Sequence, residues 1–213
     1  MSFFYCNEII LEDERVKLEP MTAVHFEKLL TITLENPDLL ELSSPDIGKH
    51  LNLKEYFQIA LSQRLKHQRY PFVILDKKSG KYTGSTSFNY FCKNKNEIEI
   101  GCTWIGKEYQ RTGINRHSKY LLLKYAIEII KCDKIILKTN ENNIQSQLAI
   151  LSIGGRYEEF PQCQLVSADG RSTGLIHYRI LKKEWDSLKE TVFAQQKLTK
   201  FKKQSNNRND ISI

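Results

Sequence analysis

One strand–loop–helix–strand unit limits the fold of this chain more than any other stretch. Residues Glu97 to Ile105 alternate as a strand does. The loop Gln110-Arg-Thr-Gly-Ile-Asn-Arg116 follows, with a single glycine. Apolar residues then recur at helical spacing from Arg116 to Lys131, and Lys134 to Thr139 reads as a buried strand. Two strands joined through a helix lie parallel, so this unit forces one crossover into whatever sheet the chain builds. The loop has a second property. A helix start leaves its first amide donors unpaired and carries about half a unit of positive charge. Gly113 lets the backbone take a positive φ and come close to an anion such as a phosphate. One glycine before a helix is also what an ordinary loop has, so the flanks must decide.

Ahead of the crossover the pattern is different. Val16 to Pro20 alternates and is closed by proline, a short strand, and helical spacing follows from Ala23 to Leu34. Glu35 to Asn52, with its Asn-Pro and Ser-Ser-Pro turns, reads as loop, and Leu53 to His67 as an amphipathic helix stopped at Pro71. Phe72 to Asp76 and Tyr82 to Tyr90 form a hairpin about the Lys-Lys-Ser-Gly-Lys turn. After the crossover come a helix from Ile144 to Ile153 ended by Gly154-Gly155, strands near Arg156–Phe160 and Gly174–Leu181, and a helix from Lys183 to Phe193. The order β-α-α-β-β-β-α-β-α-β-β describes a mixed, mostly antiparallel sheet. A doubly wound dinucleotide fold needs repeated parallel units and an early Gly-x-Gly-x-x-Gly turn, and this chain has neither.

Composition narrows the class. The 213 residues, 40% hydrophobic and 27% charged, suit one domain with a sizeable core. No run of 18 apolar residues is present and the first residues lack a secretory pattern, so neither a membrane nor export is expected. Five widely spaced cysteines (Cys6, Cys92, Cys102, Cys132, Cys163) form no Cys-x-x-Cys, which argues against a zinc site or disulfide framework and for a reducing, cytoplasmic setting. Of the net charge of +7, Lys197, Lys200, Lys202, Lys203 and Arg208 against Asp210 account for +4 in a polar tail. The body therefore has too little excess charge for a broad nucleic-acid surface, and the tail reads as solvated.

The run Glu99-Ile-Gly-Cys-Thr-Trp-Ile-Gly-Lys-Glu-Tyr-Gln-Arg-Thr-Gly-Ile-Asn resembles the acyl-CoA-binding segment of the GNAT acetyltransferases, whose loop reads Gln/Arg-x-x-Gly-x-Gly/Ala. Gln110 and Gly113 match. Asn115 stands where a small residue is usual, and Asn after Thr-Gly-Ile is typical of the RimJ/RimL-like branch. Three further stretches are similar to that branch. They are Asn143-Ile-Gln-Ser146 opening a helix, Leu151 to Glu158 closing it, and Asp169-Gly-Arg with Tyr178 and Glu184-Trp185 near the end.

The resemblance implies an α/β (α+β) GNAT fold, with a sheet of about seven strands flanked by helices over residues 15–190. Residues 1–14 would be an N-terminal extension and 191–213 the basic tail. It implies acetyl-CoA as cosubstrate, with no metal. Its pyrophosphate would meet the amides of Arg111, Thr112, Gly113, Ile114, Asn115 and Arg116, with charge added by the Arg111 and Arg116 side chains unless these are simply solvated, and with Gln110 opening the binding loop. Its peptide-like pantetheine arm would pair with the edge of the Glu97–Ile105 strand near Cys102 to Ile105, where the family has a β-bulge, beside Trp104 and Ile105. Asn143 and Ser146 would also contact it.

Transfer requires a neutral amine to attack the thioester. At pH 7 deprotonation costs about 1 kcal/mol for an α-amino group and about 4–5 kcal/mol for a lysine, so a base matters more for the second. Glu99 is the candidate base, at the position where histone-modifying GNAT enzymes keep a glutamate, with Glu97 on the same face as an inferior alternative. Ser146 is the candidate donor to the departing sulfur; a hydroxyl bonded to its own helix is the plain alternative. Cys102 reads as a small buried residue, His117 as exposed or packed on the loop, and Tyr178 either as a wall of the acceptor pocket or as core packing. The expected function is direct acetyl transfer to a primary amine, a protein N-terminus or a small amine, with a ribosomal protein as one possible partner and a monomer or homodimer as the assembly. The competing reading is a non-catalytic CoA-binding or regulatory module whose basic tail touches RNA or ribosome. The loops at 35–52 and 160–174, with Glu41 and Asp46 in the first, would shape the acceptor pocket.

Overall fold

A computed structural model describes residues 8–40, 52–159, 164–166 and 172–196. The strands are β1 (Leu11–Glu12), β2 (Val16–Pro20), β3 (Tyr70–Asp76), β4 (Lys81–Cys92), β5 (Glu97–Ile105), β6 (Lys134–Asn140), β7 (Arg156–Glu158), β8 (Gln164–Val166) and β9 (Ser172–Leu181). Their order in space is β1-β2-β3-β4-β5-β6-β9-β7, with β8 also on β9. All pairs are antiparallel except β5–β6, the crossover pair. This is the expected mixed sheet. The expected seven strands or so become nine among the described residues, because Leu11–Glu12 pairs with β2 and Gln164–Val166 with β9; both are too short to show a period.

Five α-helices flank the sheet among the described residues: α1 (Phe26–Glu35), α2 (Leu53–Leu65), α3 (Ile114–Lys124), α4 (Ile144–Leu151) and α5 (Trp185–Glu190). Asn52 starts α2 with a reciprocal capping box, its Oδ1 accepting from Glu55 N–H and Glu55 Oε2 accepting from Asn52 N–H. α3 begins two residues before the expected Arg116, because Gly113 takes the cap with φ 93°. It then widens into a π-helical segment, Tyr125–Ile130, ended by Lys131 at φ 68°.

The two faces of the sheet are separate cores. Phe72, Phe88, Ile98, Ile100, Ile135, Leu137 and Ile180 face α3, α4 and α5, where Leu121, Leu122, Ile150 and Trp185 cover them. Val73 and Trp104, one register step away, face α1 and α2 and pack on Leu29, Ile32, Tyr56 and Phe57. Beyond Trp104 that second face carries charge. Glu97, Glu99, Lys134, Lys138 and Arg179 alternate with the buried positions of β5, β6 and β9, and are tied across strands by Glu97–Lys134 at 3.0 Å and Glu99–Lys138 at 2.8 Å.

At Gly84, opposite Ile105, β4 lies tight against β5. A Cβ there would lie 2.1 Å from the Trp104 carbonyl oxygen and 2.9 Å from Ile105 Cα, both backbone atoms that cannot swing aside. Gly84→Ala should therefore cost roughly 2–3 kcal/mol, seen as a fall of roughly 5–10 °C in Tm by calorimetry. An unchanged Tm would mean that the strands can part there without loss.

Candidate active site

The crossover strands part after a short common run. β5 and β6 pair only at Glu97↔Lys134, Ile98↔Ile135 and Glu99↔Ile136. β5 continues to Ile105, while β6 stays fully paired with β9 as far as Asn140↔Leu175. The edge of β5 beyond Glu99 is thereby released from β6, which opens a wedge between them.

A bulge lies at this point. Between Ser85↔Trp104 and Ser87↔Gly101, the two residues Cys102 and Thr103 face the single Thr86. Cys102 takes φ 48°, a conformation uncommon for a residue with a side chain. A second bulge, in β4, sets Asn89 and Tyr90 opposite Glu99. It brings Asn89 Nδ2 to 2.9 Å from Glu99 Oε1 and 3.6 Å from Cys102 Sγ. Glu99 is half-buried with Lys138 on its other oxygen, so its carboxylate is held by two donors on the open face. His177, opposite Lys138 in register, lies beside this pair; burial, then the charge of Lys138, holds its imidazole below the ordinary value.

The loop before α3 closes the other end of the wedge. Gln110 is a strut: its Nε2 donates to the Ile105 carbonyl at 2.9 Å and its Oε1 accepts from Gln145 Nε2 at 2.8 Å, joining β5 to α4. Arg111 (φ 61°) and Gly113 form a left-handed pair around Thr112, whose hydroxyl donates to the Tyr109 carbonyl at 2.6 Å. The first backbone bond of α3 runs from His117 N–H to the Gly113 carbonyl, so the amides ahead of it have no carbonyl a turn behind. Asn115 Oδ1 is buried without a partner among the described residues. Arg116 donates to the Val192 carbonyl at 3.1 Å, which ties α3 to the C-terminal segment.

Asn143 caps α4 by accepting from Ser146 N–H at 3.0 Å. Ser146 is half-buried, and no described residue bonds its hydroxyl. Trp104 and Ile105 have buried side chains on opposite faces of the sheet; only their backbone borders the wedge. Tyr178 is a core residue, the packing one of its two readings. The acceptor-side loops lie largely outside the described residues, as do Glu41 and Asp46 and most of the basic tail.

Sequence reasoning missed several groups. Cys102, taken for a small buried residue, is half-exposed at the bulge. His117 is a tether: its Nδ1 is 2.6 Å from Asp13 Oδ2, fastening the turn before β2 to α3. Burial alone would raise the Asp13 carboxyl, but His117 and the amides of Val16 and Arg15 hold it below its ordinary value. Glu14 lies close enough for these three side chains to bring ligand atoms within 4.8 Å of one another, a grouping that sequence spacing concealed. Arg69 is buried, with Nε donating to Ser87 Oγ at 2.7 Å and a terminal nitrogen to the Tyr56 hydroxyl. Lys119 is buried on the inner face of α3. Its spacing from Leu122, Leu123 and Ala126 was the available signal, since those positions share one helical face.

Residues 15–156, well over half of the chain, match the acetyltransferase (GNAT) domain model. The chain belongs to the GNAT acetyltransferase family, whose members use acetyl-CoA as acetyl donor. Solved structures share the fold. A GCN5-related N-acetyltransferase from Brucella melitensis is 22% identical with a TM-score of 0.76, over 88% of this chain and 85% of that one. A proposed ribosomal-protein-serine acetyltransferase from Vibrio cholerae is 20% identical with a TM-score of 0.68, over 81% and 97%. The microcin C7 self-immunity acetyltransferase MccE, solved with acetyl-CoA and AMP, is 18% identical with a TM-score of 0.65, over 79% and 93%. At these identities the likeness speaks for the fold. A sequence search among curated proteins found no match. No helix among the described residues is long and apolar enough to cross a membrane.

Proposed function

We propose that this protein is an acetyl-CoA-dependent N-acetyltransferase of the RimJ/RimL-like branch, moving an acetyl group directly from the thioester to a primary amine. The observation that carries this reading is the parting of β5 from β6 at a bulge, with the unpaired amides of α3 at the far end of the same wedge. The residues present fit the donor. The released edge of β5 from Cys102 to Ile105 suits the amides of a pantetheine arm, with Trp104 and Ile105 contributing backbone. The amides of residues 111–116 suit a pyrophosphate, with Arg111 exposed nearby. Gly113 leaves its Cβ direction open apart from His117 Cδ2 at 3.8 Å. The buried Asn115 carboxamide, which either end of the amide can present, offers one more polar contact. Asn143 and Ser146 belong to the start of α4, which Gln145 joins to Gln110, and suit further contacts with the donor.

Bound acetyl-CoA supplies the thioester carbonyl that the amine attacks. Glu99, on the open face where β5 and β6 part, takes the proton of the incoming ammonium directly or through water. Ser146 hydrogen-bonds the departing sulfur and provides its proton. Holding both reactants in the wedge supplies much of the rest. The acceptor is a peptide N-terminus or a small amine; the proposed activity of the Vibrio cholerae relative favours the first.

Acetyl-CoA should raise Tm, because a ligand that binds only the folded chain stabilises it by about 2.7 kcal/mol at 100 times its Kd. Scanning fluorimetry with millimolar acetyl-CoA checks binding. A panel of peptides, amino acids, polyamines and aminoglycosides then checks transfer by thiol release. A rise in Tm with no thiol release from any amine would favour the CoA-binding regulatory module instead.

A further inference from the structure

Lys119, on α3, is only 6% exposed, and its amine is directed at the bulge rather than at solvent. Nζ lies 2.6 Å from Thr103 Oγ1 and 3.3 Å from Thr86 Oγ1, and the two hydroxyls are 2.8 Å apart. Thr103 Oγ1 also reaches the Gly101 carbonyl at 3.3 Å. These contacts are specific to the break in the ladder. Thr86 is the single residue of β4 that faces the two bulged residues of β5, and Thr103 is one of those two. The amine therefore bridges the strands where their register fails.

The bridge is not an ion pair. Among the described residues no carboxylate accompanies Lys119, and Cys102 is the titratable group beside it. Burial pushes the Lys119 amine down to about 7, so ammonium and amine are both populated near neutrality. Both forms keep N–H donors, so the bridge survives the change. A lone buried amine weakens a fold, and an apolar side chain of similar size would serve packing better. Packing therefore gives no reason for a lysine at this position; the bridge does.

We infer that Lys119 is a positioning residue for the acetyl-donor site, fixing the bulge at Cys102 by joining Thr86 to Thr103. The inference rests on the reading that the donor lies along the edge of β5. Lys119 need not touch the donor. It sets where the backbone groups of Cys102 to Ile105 stand, and a misplacement of about 1 Å at such a site can cost about 100-fold.

The test is acetyl-CoA affinity, measured by calorimetry, in Lys119→Met, Lys119→Gln and Thr103→Val. In Lys119→Met the hydroxyls of Thr86 and Thr103 still satisfy each other and the Gly101 carbonyl, so Tm should stay or rise while Kd weakens roughly tenfold or more. Lys119→Gln retains an N–H donor and should recover most of the affinity. Thr103→Val removes the other end of the bridge and should weaken binding even if the methionine variant does not fold. Gly113→Glu is measured alongside as a check on the donor site itself. If Gly113→Glu weakens binding while Lys119→Met and Thr103→Val bind normally, the positioning role is wrong and the donor site stands. If all variants bind normally, both are wrong. A lower Tm with wild-type affinity in Lys119→Met would make the lysine structural only.

Discussion

Gly113→Glu should lower acetyl-CoA affinity by more than about 100-fold while leaving the chain folded. Two effects add. Gly113 sits at φ 93°, and a side chain in the left-handed region costs about 1–2 kcal/mol, which favours a free loop relaxed out of the binding shape. The carboxylate then enters the place proposed for the pyrophosphate, where like charges about 4 Å apart repel by about 4 kcal/mol at an effective dielectric of 20. Steric collapse is not part of the argument, because the Cβ direction is open. Gly113→Asn separates the two effects: asparagine tolerates this backbone and brings no charge, so most of the affinity should remain. If the glutamate variant binds acetyl-CoA normally, the phosphates are not at α3.

Glu99→Gln should lower the rate of acetyl transfer by about 10²–10⁴-fold with acetyl-CoA affinity near wild type. The amide keeps the size of the carboxylate and one acceptor for Asn89 Nδ2, so the local structure survives although the pair with Lys138 is lost. The size of the effect should depend on the acceptor. Deprotonating a lysine at pH 7 costs about 4–5 kcal/mol against about 1 kcal/mol for an α-amino group, so the loss should be larger for a side-chain amine. Steady-state rates with two such acceptors decide this. A loss smaller than twofold with both would move the role to another group, and His177, neutral and beside Lys138, is the next candidate.

Much of this layout was legible before any coordinates. The alternation at Glu97–Ile105, the glycine at 113 and the helical period after it place the crossover, because each is a local signal. The bulge was different. It depends on Ser85 and Ser87 pairing with Trp104 and Gly101 in β5, a long-range register that nothing near Cys102 encodes; only the family resemblance pointed there. The sequence puts Gln110 and Arg116 at the ligand, yet their side chains brace Ile105, Gln145 and Val192. A polar residue in a loop reads alike whether it meets a phosphate or a carbonyl. Lys119 escaped because a lysine in a helix is ordinarily taken as solvated, although its spacing put it on the buried face. Asp13 and Arg69 escaped for another reason: their partners lie in other elements of the fold.

The central claim is that the donor lies along β5 with its phosphates at the start of α3. Amide hydrogen exchange with and without saturating acetyl-CoA tests it most directly. The account predicts new protection at residues 102–105 and 111–116, with the strands at β2 and β3 unchanged. Protection that spares both segments, or appears only elsewhere, would contradict it.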